Sequence, residues 1–268
     1  MQNSLESSRT QLVVKNNDLI RKARYNLTVN QQKLIAYVIS LIKPTDTELM
    51  MYELSVSEFC ELCGIDKVYF YDRFKEILLA LDKKSFLVET EEKIFNFRWF
   101  SEFEYIKGTG KVRLQLNSNI KKYLLNLSKN FTEYELYNIL ALKGKYSIRL
   151  YEWFKSYSFM AKKTIELDEL KYILMADNYK DFRSFRRRVL ETAVAEINEY
   201  TDLIVSYEKE TNKKKVEAIT FYIKRKPSMQ RYKLYLQINE ILNKRSHNTE
   251  GQMSLFDLGE EYFRDENN

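Results

Sequence analysis

Twenty-four residues of this chain occur twice, 111 positions apart, and that repeat limits the fold more than any other feature. VSEFCELCGIDKVYFYDRFKEILL (Val56–Leu79) aligns without a gap on LDELKYILMADNYKDFRSFRRRVL (Leu167–Leu190). Glu58/Glu169, Asp66/Asp177, Phe74/Phe185 and Leu79/Leu190 are identical. Val56/Leu167, Phe59/Leu170, Leu62/Ile173, Tyr71/Phe182, Lys75/Arg186 and Leu78/Val189 are similar. The matches fall mostly on apolar positions of the kind a core requires, so the chain uses one supersecondary unit twice. A length of 268 residues, 44% hydrophobic and 31% charged, is enough for two compact domains with real cores.

Local chemistry says what the unit is. Ser57 and Asp168 are the expected N-caps of short helices over 57–63 and 168–175, followed by turns at Gly64-Ile65-Asp66 and Ala176-Asp177-Asn178. Each copy then enters a longer helix. Phe182, Phe185, Val189, Leu190, Ala193 and Ile197 define its buried stripe in the second copy, and Phe70, Phe74, Ile77, Leu78 and Leu81 in the first. Strand-like segments follow. In the first copy they cover 86–90, 94–105 and, beyond the Gly108-Thr109-Gly110 turn, 111–117. In the second they cover 203–207 and 216–224, joined by a polar turn over 208–215. Amphipathic helices at 28–42 and 147–157 lie upstream of the two copies. Helix, short helix, turn, long helix and β-hairpin is the order of a winged helix-turn-helix. The expected fold class is α+β, two tandem winged helix-turn-helix domains related by an internal repeat plus a C-terminal tail, divided as 1–130, 131–228 and 229–268.

Charge indicates which copy meets a polyanion. The net charge is +6, and residues 143–226 hold 19 Lys and Arg against 13 Asp and Glu, which equals the whole excess. A solvated basic face gives the same count, so position has to decide. In a helix-turn-helix the second helix enters the major groove, led by its N-terminal half. With Phe182 at the centre of the stripe, 100° per residue puts Ser184, Arg187, Arg188 and Glu191 on the opposite face and Arg183 at its flank. Arg fits the guanine edge bidentately, and Ser or Glu can complete a base-edge reading. Lys180, and Lys213, Lys214 and Lys215 at the hairpin tip, suit phosphate contact. Arg186 falls beside the apolar side, where a structural or backbone-contacting role is expected. The first copy presents a mixed face of Asp72, Lys75, Glu76 and Leu79, with Arg73 at its edge. The expected division of labour gives dimerisation and auxiliary DNA contact (Arg73, Lys75, Glu76) to the first domain and most sequence specificity to the second.

Catalytic readings find little support. His247 is the only histidine, so no His-x-His metal site, Ser-His-Asp triad or Cys-His pair can be assembled with structural support. Cys60 and Cys63 have the spacing of half a zinc site with no second half, and Cys63 aligns with the core-type Leu174. Gly144-Lys145 lacks the earlier glycine of a P-loop, and Lys107-Gly108-Thr109-Gly110-Lys111 reads as a hairpin turn. The expectation is no enzyme, no cofactor and no metal. No run of ~18 apolar residues suggests a membrane span, no apolar segment follows a basic start, and two cysteines suit a reducing, cytoplasmic setting.

Two stretches carry a family resemblance. QLVVKNNDLIRKARYNLTVNQQKLIAYVIS (11–40) resembles the opening of the plasmid replication initiator family with paired winged-helix domains, the RepB-type initiators. NYKDFRSFRRRVLETAVAEINEYTDL (178–203) resembles that family's second recognition helix. The resemblance implies a double-stranded DNA-binding protein that occupies iterons, the direct repeats of a plasmid origin, and helps open it. It implies monomers on iterons, dimers that repress the protein's own promoter, and recruitment of host replication proteins. It carries DNA reading onto Lys180, Arg183, Ser184, Arg187 and Arg188 as positions of the matching helix, and more loosely onto Lys213, Lys214 and Lys215. A dimeric winged-helix transcription repressor with no replication role would use the same residues, and a partitioning or structural adaptor is a third reading.

The tail bears on that choice. After an expected helix over 229–244, with Leu234, Ile238, Ile241 and Leu242 on one face, and a polar stretch, the chain reads QMSLF at 252–256. This resembles the pentapeptide by which many bacterial replication proteins grip the sliding clamp, with Met253 in place of the commoner Leu. Gln252 suits a pocket rim, Ser254 a middle position, and Leu255 with Phe256 an apolar cleft. The alternative is an apolar patch folded back on the second domain. The clamp reading favours an initiator over a repressor.

Overall fold

The computed structural model describes residues 2–67, 70–89, 92–213 and 215–246. The chain begins with α1 (Gln2–Arg9), β1 (Leu12–Asn16), α2 (Asn17–Arg21), β2 (Ala23–Arg24) and α3 (Val29–Ser40). Then come β3 (Met51–Ser55), α4 (Val56–Cys63), α5 (Phe70–Asp82), β4 (Ser85–Glu89), β5 (Ile94–Arg98), β6 (Phe100–Ile106) and β7 (Lys111–Leu116). A 3-10 turn leads to β8 (Phe131–Glu135), α6 (Tyr137–Leu140) and α7 (Lys145–Ser156). The second unit follows as β9 (Lys162–Glu166), α8 (Leu167–Leu174), α9 (Phe182–Phe185), a π turn (Arg186–Glu191), α10 (Thr192–Tyr200), β10 (Leu203–Asn212) and β11 (Lys215–Arg225), with α11 (Ser228–Ser246) after it.

The repeat holds at the level of single backbone conformations. Strands β3 and β9, like helices α4 and α8, begin and end 111 residues apart. Both short helices end on a left-handed residue, Gly64 at φ 65° and Met175 at φ 54°. The next amide closes the helix in both, from Ile65 N to Cys60 O at 2.8 Å and from Ala176 N to Lys171 O at 2.9 Å. This is one Schellman-type stop used twice, the second time without glycine's freedom. Each unit also has a three-stranded antiparallel sheet of the same order, β3-β7-β6 and β9-β11-β10, so each is a winged helix-turn-helix.

Several expectations need correction. The helices start one residue earlier than 57 and 168. Ser55, not Ser57, caps α4, in a reciprocal capping box with Glu58, while α8 has Glu166 at its cap position and no side-chain cap. The strand runs directly into the helix, so the cap is the last strand residue, and Ser57 bonds Glu61 instead. The single strand expected over 94–105 is two strands in different sheets. Buried Trp99 separates them, packed edge-on against Tyr25 and beside Phe86. The polar stretch 208–215 is mostly strand rather than turn. Its polar side chains pair across the hairpin, Tyr222 with Glu208 and Asn212 with Glu217, so polarity there marked two solvated faces.

Two features join the units. Helix α7 is buried on nearly every face. Toward the first unit, Glu152 meets Lys15 at 2.5 Å and accepts from Tyr134, while Arg149 donates to Tyr25 and to the carbonyl of Ala23. Toward the second, Tyr151 and Lys155 both donate to buried Asp202. The boundary expected at 130/131 lies immediately before β8, which pairs antiparallel with β1. The last helix, longer at each end than expected, buries Leu234, Ile238 and Leu242, with Ile241 half-buried, and packs against α4 of the first unit. Leu242 sits so close to Gly64 that a Cβ there would lie 2.8 Å from the Leu242 carbonyl.

Candidate nucleic-acid interface

The second recognition helix starts at a well-made cap. Asp181 accepts from Ser184 N at 2.8 Å, and that bond, with others from the same backbone turn, holds the Asp181 carboxyl below its ordinary range. Phe185, Val189, Leu190, Ala193 and Ile197 are buried as expected, and Phe182 is half-buried. Arg183, Arg187, Arg188 and Lys180 are exposed and make no ion pair with any described residue, while Ser184 is half-buried one turn from the cap. A helix whose outward face carries arginines without acidic partners keeps a standing positive potential at its solvent side.

Arg186 is the exception to the expected layout. It is not beside the apolar side but 45% exposed, with Nε 3.2 Å from Glu191 Oε1. Its match Lys75 is exposed in the regular α5 as well; the π turn over Arg186–Glu191, which a steady 100° per residue does not anticipate, is what brings Glu191 to it. A signal was available in the sequence. After the identical pair Leu79/Leu190, the stripe continues at Leu81 in the first copy but at Ala193 in the second, one position later than the offset of 111 requires.

The hairpin tip stands at the end of β10 and β11. Asn212 pairs with Lys215 and Lys213 takes φ 56°, so the connection is a two-residue turn with Lys213 and Lys215 exposed. Lys214 lies outside the described residues, as do Gln252, Ser254, Leu255 and Phe256 of the tail.

The first recognition helix, α5, is different in kind. Lys75 and Glu76 are exposed alternately with Leu79, while Arg73 is half-buried. Tyr71, at its start, rests on the hairpin turn, where a Cβ on Gly110 (φ 66°) would meet the Tyr71 ring at 2.7 Å. Cys60 and Cys63 are both buried in the core, which pushes each thiol up to about 12. Among the described residues no group of His, Cys, Asp and Glu could hold a metal ion, and no helix is long and apolar enough to cross a membrane.

Between the units lies a contact that sequence reasoning missed. Arg24 of β2 donates to Asp177 Oδ2 at 2.7 Å and to the Tyr172 carbonyl, and its guanidinium stacks 3.9 Å from the Tyr172 ring. Tyr172 in turn donates to Glu89 of β4. The turn of the second helix-turn-helix is thereby fastened to the additional β2-β4-β5 sheet of the first unit.

Two winged helix-turn-helix units in tandem, the second with an arginine-lined recognition helix, define a protein of the winged-helix class. More narrowly, the chain belongs to the initiator replication protein family, whose WH1 model matches residues 12–155 and whose WH2 model matches residues 166–223. A curated replication initiation protein of Escherichia coli is 29% identical over 210 residues, an alignment spanning 72% of this chain and 64% of that protein. An uncharacterised 27.6 kDa protein of Escherichia coli is 21% identical over 211 residues, covering 72% of this chain and 88% of its own length. Among solved structures, the Pi initiator protein, crystallised in complex with iteron DNA, superposes with a TM-score of 0.68 at 20% identity, covering 82% of this chain and 99% of that one.

Proposed function

We propose that this chain is a cytoplasmic plasmid replication initiator that binds iteron repeats in double-stranded DNA at the origin. The observation that carries the reading is the second recognition helix: Arg183, Arg187 and Arg188 exposed beyond an Asp181 cap and without an ion pair among the described residues, with Lys213 and Lys215 on a hairpin in the place of a wing. Family membership and the fold shared with an initiator solved on iteron DNA support it. In this reading Ser184, Arg187 and Arg188 face base edges, and Lys180, Arg183, Lys213, Lys214 and Lys215 hold phosphates. The first unit contributes dimerisation and auxiliary contact through Arg73, Lys75 and Glu76, whose mixed surroundings suit a protein partner as well as a phosphate.

Binding energy, rather than nucleotide hydrolysis, then drives opening of the adjacent duplex, and no catalytic group is required of this chain. The dimer represses its own promoter, and host replication proteins join at the opened origin, the sliding clamp through Gln252, Ser254, Leu255 and Phe256. Replacing Arg187 or Arg188 by Ala tests base reading. Each substitution should weaken binding to the repeats beside the coding sequence by roughly 10-fold or more while changing binding to shuffled duplex far less. Equal losses on both probes refute base reading. The rival, a dimeric repressor with no replication role, is separated by whether a plasmid carrying only this gene and its flanking repeats replicates.

A further inference from the structure

The two recognition helices share one sequence pattern and differ in one backbone event. Helix α5 is regular, whereas the second helix contains the π turn Arg186–Glu191. The consequence shows at matching positions. Leu79 and Leu190 are the same residue in the same place of the repeat, yet Leu79 is 46% exposed and Leu190 is 0% exposed. The residues matching half-buried Ile77 and buried Leu81 are Arg188 and Thr192, both exposed. A π turn inserts one residue into the helical register, at a cost in backbone stability that tends to persist where function uses it. Arg186 and Arg187 are exposed, as their matches Lys75 and Glu76 are in α5, and the insertion adds Arg188, so that three consecutive arginines reach solvent.

The π turn also creates a pair that an α-helix would not. Residues five apart on an α-helix lie on different faces, but on the wider turn Arg186 and Glu191 are neighbours, 3.2 Å apart. Thr192 Oγ1 reaches back across the same turn to the Arg187 carbonyl, five residues before it. Tyr207 of β10 lies within electrostatic reach of both Arg186 and Glu191, which places the pair on the hairpin side of the helix. The pair is about half exposed, and an ion pair so exposed contributes little to stability, so a phosphate can displace the carboxylate at small cost.

We propose that Arg186 joins the DNA-contacting set as a phosphate ligand, and that the π turn makes Glu191 a specificity gate that occupies Arg186 until a correctly placed phosphate takes it over. This rests on the DNA-binding reading above. On a cognate repeat, groove docking brings the backbone to Arg186 and the exchange occurs. On other duplex the backbone is misplaced, and Glu191 remains as a negative charge beside phosphates, lowering non-specific affinity.

Full-length wild type, R186A, R187A and E191Q are compared by anisotropy across a salt series on two probes: a duplex of the direct repeats beside the coding sequence, and a shuffled duplex of equal length and composition. R186A should lower the salt slope on the repeat duplex by about 0.9 and leave it unchanged on the shuffled one. E191Q should tighten shuffled-duplex binding by about 3-fold to 10-fold, with a smaller change on repeats, so that discrimination falls. A wild-type slope for R186A on the repeat duplex, with R187A altered, makes Arg186 a surface residue only and overturns the proposal. Weaker repeat binding by E191Q with unchanged shuffled binding makes Glu191 a base reader and overturns the gate. Wild-type protein that does not prefer the repeat duplex overturns the proposed function itself, an outcome no single variant imitates.

Discussion

Arg9 is the most consequential buried charge outside the recognition helices. Its side chain is 0% exposed, and its guanidinium donates to the carbonyls of Glu61 at 2.7 Å and Leu62 at 3.3 Å, and to the side-chain oxygens of Asn239 and Asn243, each at 2.9 Å. Burial pulls its pKa down from the ordinary arginine value, a direction that measures how dry the site is. The two carbonyls are at the C-terminal end of α4, where the Glu61 carbonyl has otherwise only a long 3.4 Å bond from Gly64 N and a cation is favoured. Replacing Arg9 by Met keeps the aliphatic stem but removes all four hydrogen bonds. At about 1–3 kcal/mol for each buried acceptor left unpaired, less the desolvation the guanidinium no longer suffers, the net loss is ~3 kcal/mol. The apolar half of the same contact, Leu234, Ile238 and Leu242, contributes roughly 1.5–3 kcal/mol per side chain before ordering is charged against it. Arg9→Met therefore removes a large share of what holds α11 on α4. Hydrogen exchange read by mass spectrometry should show amides of 56–63 and 230–242 exchanging about 100-fold faster, with α10 unchanged, and the melting temperature should drop by roughly 6–12 °C. Unchanged exchange in both segments would refute the reasoning.

Glu152 gives a pH test. Burial by itself would push its carboxyl up, but Lys15 and Arg149 together hold it below the ordinary range. A carboxyl so lowered contributes stability that is complete above its unfolded value, near 4.3, and is lost as pH falls through the folded value. Glu152→Gln should flatten the acid limb of the melting-temperature curve and also cost ~3–5 kcal/mol at neutral pH, because Lys15 is left buried without its anion; equal acid slopes would contradict this. The tail motif is checked with a peptide of residues 248–262, which should bind a purified bacterial sliding clamp and lose that binding on Leu255→Ala or Phe256→Ala; equal binding by both variants removes the clamp reading.

Much of the fold was legible because the repeat places apolar residues where two cores need them. Phe74 and Phe185, or Leu62 and Ile173, occupy matching buried sites, and periodicity alone identifies them. Local rules failed where tertiary contacts set the outcome. Nothing in the residues around 99 signals a strand break, which follows from the Trp99 ring packing on Tyr25, 74 positions earlier in the chain. The length of the β10–β11 hairpin was hidden because an exposed strand and a polar turn have the same composition. Arg183, Arg187 and Arg188 could be placed on the outer face from spacing. Arg186 could not, because its pairing with Glu191 depends on a one-residue change of helical register. Arg9 and Arg24 were out of reach for a different reason. Their partners at Asn239 and Asp177 are over 150 residues away, and no local pattern marks a cation as buried.

The mutual orientation of the two units is the last consequence of these long-range contacts. Three separate polar fastenings cross between them. On α7, Arg149 and Glu152 engage the first unit while Tyr151 and Lys155 engage Asp202 of the second. Arg24 clamps Tyr172 and Asp177, and Arg9 fixes α11 to the end of α4. Each uses directional hydrogen bonds to charged groups, which hold an angle better than apolar contact does. On the proposed DNA-binding reading, two recognition helices held at fixed spacing would bind a site as one bivalent ligand, because the first to dock would present the second at high effective concentration. The same rigidity would make the pair selective for spacing: a duplex whose second half-site is out of phase would offer only one unit its groove. An arginine-rich helix alone would bind many sequences weakly. Fastened at three places to a partner with a weaker, mixed face, it would gain selectivity from geometry that the second unit's side chains alone do not supply.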